Sequence, residues 1–365
     1  MYYRILFYYT KNMVKKKGLL ERLSNEPIIC AEGFLFEAER RGYMSSGEFV
    51  PKIALENPEA LRNIHLDFQH AGSDVVVAFT YNGHREKMRV INEEHLLEPL
   101  NRAALQIAKR VSQEVDSDEQ NLIAGNVSGT HIWNPDDEKS KEEVRSMFRE
   151  MIQWAKEEGA DYIIGETFYF ADEAYVALEE IKRSELPAVL TISPMAENIM
   201  RDGISIIDTC KELEQRGADV VGMNCFRGPS TMLPDIKKIR DSVKCHVAAL
   251  PICYRTTEKQ PTFFNLEDHN NCDCPAPHGR AFTTALDPLY CNRYEIRKFI
   301  EEVYSMGVNY LGLCCGASPM LMREVANAIG RKVPASKYNE KMSNHFMYGS
   351  NVRIPKHSKD YGPNA

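Results

Sequence analysis

The chain has 365 residues, enough for one large domain or two ordinary ones, and its 43% hydrophobic and 27% charged composition is that of a folded globular protein. Its formal charge of −7 excludes a nucleic-acid or anionic-membrane surface as the main partner, because both require a basic face. No apolar run is long enough to span a bilayer, so no membrane partner is expected.

At the N-terminus the apolar stretch 5–9 precedes its positive charges, Lys15 to Lys17, and no small-residue cleavage site follows. A secretory signal has the opposite order. The ten cysteines are thinly spread and several sit in apolar runs, which together with this N-terminus predicts a reducing, cytoplasmic location.

From there the chain alternates. Val- and Ile-rich runs predict strands at 27–33, 74–81, 121–128, 161–168, 187–194, 219–225, 246–252 and 309–315. Amphipathic patterns between them predict helices at 58–71, 99–114, 141–158, 172–183, 205–216, 232–242, 294–305 and 319–329. Gly72, Gly159, Gly217 and Gly307 stand where a left-handed cap would close a helix before the next strand. Continuously apolar strands separated by helices imply a parallel sheet buried on both faces. Eight repeats favour an α/β class, single (β/α)₈ TIM barrel, with an open doubly wound sheet as the alternative. Residues 253–293 form a long polar insertion after the seventh strand, expected on the mouth side. The division expected is a barrel with an N-terminal extension over 1–331 and a polar tail over 332–365, disordered or serving as an oligomerisation arm.

Cys225 ends the sixth strand, and Cys314 and Cys315 end the eighth, followed by Gly316, which permits a sharp turn. Residues at the carboxyl ends of barrel strands surround one mouth. Three thiolates leave one tetrahedral position open, the arrangement of a catalytic zinc, and sulfur ligands favour zinc over hard cations. Any one of these cysteines alone would read as a core residue; the pairing of Asn-Cys with Cys-Cys-Gly at two strand ends favours metal. Cys30 and Cys245 read as strand fillers and Cys210 as a helix-core residue, while Cys272 and Cys274 lack a partner pair. His84 and His131 follow strands two and three and read as loop histidines near the mouth.

These motifs, Gly-x-Asn-Cys and Gly-x-Cys-Cys-Gly, resemble those of the zinc-dependent homocysteine S-methyltransferases, most closely the betaine–homocysteine branch. Similarity extends through Gly33-Phe34, Arg41-Gly42-Tyr43, Asn57-Pro58-Glu59-Ala60, Ala71-Gly72-Ser73, Phe79-Thr80, Glu166 and Asn292-Arg293-Tyr294, covering roughly residues 18–334. The resemblance implies a (β/α)₈ fold, Zn²⁺ on Cys225, Cys314 and Cys315, and methyl transfer from a small onium donor to homocysteine, giving methionine. It also implies Glu166 as the partner of the substrate ammonium, backbone around Ala31, Glu32 and Gly33 as amino-acid contacts, and a homodimer or homotetramer. The donor pocket falls on Phe49, Tyr81, Asn82 and Thr167.

The chain departs from the pattern at informative places. Ala31-Glu32-Gly33 stands where relatives carry Asp-Gly-Gly, Thr167 and Asn82 replace tyrosines, and Phe49 replaces a tryptophan. Those aromatics would hold an onium group by cation–π contacts of about 0.5 to 2 kcal/mol each. Their loss weakens the case for betaine unless Tyr81, Phe168 or Tyr169 turns inward, so a sulfonium such as S-methylmethionine stands beside betaine as donor. A methyl group borne by a carrier protein and a catalytically lapsed zinc- or ligand-binding barrel are the remaining alternatives.

Overall fold

The structure, a computed structural model, describes residues 16–114, 120–195, 198–267, 280–338, 340, 342–345, 349 and 350. Eight parallel strands close into a barrel: β1 (Ile28–Ala31), β2 (Val75–Val77), β3 (Leu122–Ser128), β4 (Tyr162–Phe168), β5 (Ala188–Ile192), β6 (Val220–Asn224), β7 (His246–Leu250) and β8 (Tyr310–Leu313). Closure comes from β8 pairing with β1 over four residues, Ile28 opposite Tyr310 through Ala31 opposite Leu313. All eight predicted strands and all eight predicted helices are present, and the open sheet is excluded.

Each strand is buried on both faces, as its apolar content requires. Inside the barrel, Tyr162 and Tyr310 join hydroxyl to hydroxyl at 2.9 Å across the interior. Outside it, the helix layer includes Pro58–His70, Leu97–Glu114, Glu138–Glu158 and Ala171–Arg183. The four glycines at helix ends all have positive φ, from +83° to +113°, as a left-handed cap demands.

Two residues after each of these glycines stands a polar residue, Asp74, Asp161, Asp219 or Asn309, and its place has a structural cause. The Asp161 N–H donates to the Ile123 carbonyl at 2.8 Å, and its carboxylate accepts the Ile123 N–H at 2.6 Å. Asp74 makes the same reciprocal pair with Ile29, and Asp219 makes it with Ala188. Each aspartate thus continues the ladder one step below its strand, bonding to the strand before it. Asn309 differs, its amide meeting the His246 ring and the Leu23 carbonyl.

Predicted strands overrun the observed ones at the mouth. The run 74–81 gives a ladder only over Val75–Val77, because the chain turns at once: the Thr80 N–H donates to Ala78 and the Gly83 N–H to Thr80. Short helices at Leu19–Leu23, Phe34–Arg40, Ile53–Glu56 and Arg85–Val90 lie outside the predicted set. Cys30 and Cys210 fill the core, whereas Cys245 lies one residue ahead of β7 and is only half-buried, so it is not a strand filler. In the tail, Val333 packs on Gly72, and Glu340 pairs with Arg293 and Arg297 of the chain's own barrel. Residues 351–365 and Cys272 and Cys274 lie outside the described residues.

Candidate active site

Cys225 follows β6 directly with φ +53°, and its N–H is held by the Leu250 carbonyl. The Cys314 N–H donates to the Pro251 carbonyl, and Gly316 turns the chain away at φ +83°. The first and last stretches of the 253–293 insertion buttress this turn. Cys253 donates its N–H to the Cys315 carbonyl at 2.9 Å, and the Tyr290 hydroxyl donates to the Gly316 carbonyl at 2.7 Å. The Tyr254 ring lies so near that a Cβ on Gly316 would meet it at 2.8 Å. Glycine is needed there for its torsion and for the close approach.

The three Sγ atoms lie within 4.8 Å of one another, with Cys225 and Cys315 at 3.4 Å. Four-coordinate zinc with Zn–S bonds of about 2.3 Å sets its sulfurs roughly 3.8 Å apart, so the triad fits that ion. Burial raises the Cys225 thiol, but hydrogen bonds from Cys314 and Cys315 outweigh it and bring Cys225 down to about 5. Burial holds Cys314 well above its ordinary value, and hydrogen bonding to its two neighbours does the same for Cys315. The site therefore concentrates one thiolate among three sulfurs.

Facing them is a pair of carboxyl groups. Glu32, Glu166 and the Cys314 sulfur also converge within 4.8 Å. Glu166 is buried on β4, accepting from the Asn126 amide at one oxygen and from the Asn224 amide at the other, the latter at 2.8 Å. Burial and the nearby Cys314 charge raise it to about 8. Burial, then the charges of Glu166 and Cys314, raise Glu32 well above the usual carboxylate range. Glu32 Oε1 is buried without a hydrogen-bond partner among the described residues. Two carboxyls this close cannot both ionise cheaply, and a cation between them would relieve both.

Asn224, on β6, organises this corner. Its amide nitrogen donates to Glu166 and to Thr167 Oγ1, each at 2.8 Å. Its carbonyl oxygen accepts the Thr167 N–H at 2.9 Å and the Ser193 hydroxyl at 3.2 Å. Sequence reasoning placed Asn224 in the strand motif without a role, and passed over Asn126. The available signal was an amide at an inward position in each of two apolar strands.

A narrow cleft joins these groups, lined by Glu32, Tyr81, Asn126, Glu166, Thr167 and the three cysteines together with apolar side chains. Ala31 is the buried last residue of β1, and Gly33 lies against Ala317 and the Cys314 carbonyl, so neither lines the cleft. Phe49 is half-buried and packs on Phe36, with ring centroids 6.2 Å apart, while Asn82 is buried and donates to the Phe49 carbonyl. Neither lines the cleft either. Of Tyr81, Phe168 and Tyr169, Tyr81 alone turns inward, close enough to feel the charges of Cys225, Glu166 and the paired cysteines. Phe168 points instead to the helix layer, edge-on to Phe148, because the register shifts between Gly165 and Phe168 around Thr167 at φ +61°. Tyr169 sits on the rim, bonded to His131.

The family model described as homocysteine S-methyltransferase matches residues 30–329. A betaine–homocysteine S-methyltransferase 1 from Mus musculus is 31% identical over 361 residues, covering 95% of this chain and 82% of the mouse protein. An S-methylmethionine–homocysteine S-methyltransferase from Pongo abelii is 30% identical, covering 86% and 82%. Among solved structures, the metallated form of the homocysteine methyltransferase MmuM from Escherichia coli superposes with a TM-score of 0.65 at 16% identity, covering 84% of this chain and 97% of that one, a likeness of fold. The match over most of the barrel, with relatives of both donor types, makes this chain a member of the homocysteine S-methyltransferase family.

Proposed function

We propose that the protein methylates the thiol of homocysteine from a small onium donor, giving methionine. The observation that carries this reading is the convergence of three cysteine sulfurs and two carboxyl groups in one cleft. Cys225, Cys314 and Cys315 would hold zinc, which when bound lowers the pKa of the substrate thiol and fixes the direction of its sulfur.

The rest is done by the chain's own residues. Glu166, with Glu32 alongside, receives the substrate ammonium, which supplies the cation that this carboxyl pair lacks. Asn224 and Asn126 hold Glu166 in place. Tyr81 supplies the aromatic surface against which the donor's onium group packs. In the reaction a carbon–sulfur bond forms to the homocysteine sulfur while the methyl–onium bond breaks. The bonding pair leaves with the donor heteroatom, which departs neutral, and the thiol proton goes to solvent. No general acid is required, and alignment of sulfur with methyl supplies much of the rate.

The donor belongs to the class that includes betaine and S-methylmethionine. A cytoplasmic setting fits the free cysteines, none of which is paired among the described residues, and no helix there is long and apolar enough to cross a membrane. Assembly as a homodimer or homotetramer, with the 332–365 tail as an arm, belongs to the same proposal and is read by light scattering of the full chain and a truncation. The central test is metal analysis and methionine formation. Purified protein should carry one zinc per chain and lose it in Cys314→Ala, and at least one onium donor should yield methionine. A zinc-free wild type, or a Cys314→Ala that keeps its zinc, overturns the reading, and silence across the donor panel turns it toward a carrier-borne methyl.

A further inference from the structure

Methyl transfer as described above leaves Arg40 without a part, although its guanidinium binds the segment that braces the paired cysteines. Arg40 closes the short helix Phe34–Arg40, which begins two residues after Glu32. Its Nη2 donates to the Tyr254 hydroxyl and to Asp287 Oδ1, each at 3.1 Å, and its guanidinium carbon lies 5.4 Å from the centre of the Tyr290 ring. All three partners belong to the two ends of the 253–293 insertion. One cation on the first mouth helix thus holds both ends of a segment inserted after the seventh strand.

The contacts are unequal. Asp287 is exposed, so its ion pair contributes little. Tyr254 is buried, and Arg40 is the one hydrogen-bond partner of its hydroxyl among the described residues. Without the guanidinium that hydroxyl is stranded among packed rings, where an unmet polar group is costly. The Tyr254 ring is T-shaped to Tyr290 at 5.7 Å and lies 6.2 Å from Phe36 of the Arg40 helix.

The two tyrosines converge on Gly316. They face each other across an antiparallel bridge, flanked by the Cys291 N–H donating to Cys253 and the Arg255 N–H donating to Leu289. From this bridge the Tyr254 ring closes on the Gly316 Cα. The Tyr290 hydroxyl donates to the Gly316 carbonyl and lies 3.1 Å from Ser318 Oγ, the N-cap of the helix Pro319–Ala328. Neither Arg40 nor either tyrosine lines the cleft, so their effect on its chemistry passes through the turn.

We infer that Arg40 is a positioning residue for the metal thiolates: by clasping Tyr254 and Tyr290 it holds the Cys314–Cys315–Gly316 turn where its two sulfurs meet Cys225. The metal is that of the proposed function, whereas the clasp is independent of what the sulfurs serve. Retention of the ion then depends on a rim side chain outside the cleft.

Zinc release from the full-length protein to 4-(2-pyridylazo)resorcinol reads the site without turnover. Arg40→Met should release zinc about tenfold faster than wild type, the scale expected for loss of a group that orients metal ligands. Arg40→Lys, which keeps a cation and a donor, should fall between the two. Arg41→Met removes the adjacent arginine, paired with Glu37 and Asp67, and should match wild type. With Co²⁺ in place of zinc, the thiolate-to-cobalt absorption should weaken in Arg40→Met and recover in Arg40→Lys, a signature that a general loss of stability does not give. Tyr290→Phe keeps the ring but drops the bond to Gly316; it should also release zinc faster, and it carries the test if Arg40→Met does not fold. Release within twofold of wild type in Arg40→Met, or an equal effect of Arg41→Met, overturns the clasp and leaves methyl transfer standing. If no donor yields methionine but cobalt absorption weakens in Arg40→Met, the clasp stands and methyl transfer fails. Wild type that takes up neither ion overturns both.

Discussion

Asn224→Ala offers the sharpest test of how the acceptor half of the site is held. The amide donates 2.8 Å hydrogen bonds to Glu166 and Thr167 Oγ1, and accepts from the Thr167 backbone and Ser193. A hydrogen bond to a charged group contributes about 1.5 to 3 kcal/mol, and a buried N–H left without a partner costs about 1 to 3 kcal/mol. The first figure, lost from the group that receives the ammonium, raises KM for homocysteine by roughly 10- to 150-fold at 1.36 kcal/mol per decade. The second lowers thermal stability without touching zinc, since no Sγ relies on the amide beyond a 3.8 Å contact to Cys314. With 4-mercaptobutyrate, which has the thiol and carboxylate but no amino group, the variant should match wild type. Asn224→Asp keeps the acceptor for Thr167 but sets a third carboxyl oxygen about where the donor stood. At an effective dielectric of about 20, two full charges 2.8 Å apart repel by about 6 kcal/mol. That variant should therefore be worse than alanine above neutral pH and recover on acidification as the cluster takes up a proton. The double variant with Glu166→Gln should add little to either single change. A KM for homocysteine within twofold of wild type, or an equal loss with 4-mercaptobutyrate, would refute the reasoning.

Two further outcomes concern the frame. Gly312→Ala places a Cβ 1.9 Å from the Cys30 carbonyl oxygen, so β1 and β8 must separate two residues before Cys314. Thermal unfolding should show a loss of about 3 kcal/mol or more, and zinc competition a weaker site; wild-type values in both would sink the argument. His65 is buried edge-on to Phe34 with neither ring nitrogen partnered among the described residues, and burial lowers it to about 3. Its folded pKa lies below the unfolded value, so the unfolded chain binds the extra proton between about pH 6.5 and 3, and stability falls as pH drops through that window. Between pH 8 and pH 5 this amounts to about 2 kcal/mol, and His84, lowered equally, contributes a similar share. His65→Leu should roughly halve the loss these two histidines cause, and an unchanged pH–melting curve would show that His65 is not the source.

The barrel was legible because each strand carries its own apolar run and each helix its own apolar stripe. Local pattern alone therefore announces the alternation. The cysteines were legible for a related reason: a motif at a strand end in a barrel has a known address at the mouth. What escaped is what depends on register. A positive φ at Thr167 slips the inward–outward parity of β4, and no residue type in Glu166-Thr167-Phe168 signals that Phe168 will face the helices. Asn224 reaches Thr167 from β6 to β4, strands that are not neighbours, so the pair exists only once the barrel closes. The approach of Glu32 to Glu166 is of the same kind, joining the residue after β1 to a residue of β4 134 positions away in the chain. The short helices at the mouth lack the length that makes a period readable.

The aspartates beneath the strands have a consequence for how this chain can change over time. Asp74, Asp161 and Asp219 each recognise one backbone unit of the strand before them, by donor and by acceptor at once. A strand seated one step too far along would break both bonds together, so these junctions proofread strand alignment at the end of the barrel opposite the mouth. That separation frees the rim from architectural duty. Substitutions such as those at Glu32 and Thr167 can accumulate there, reshaping the cleft, while the barrel below them continues to assemble in one alignment.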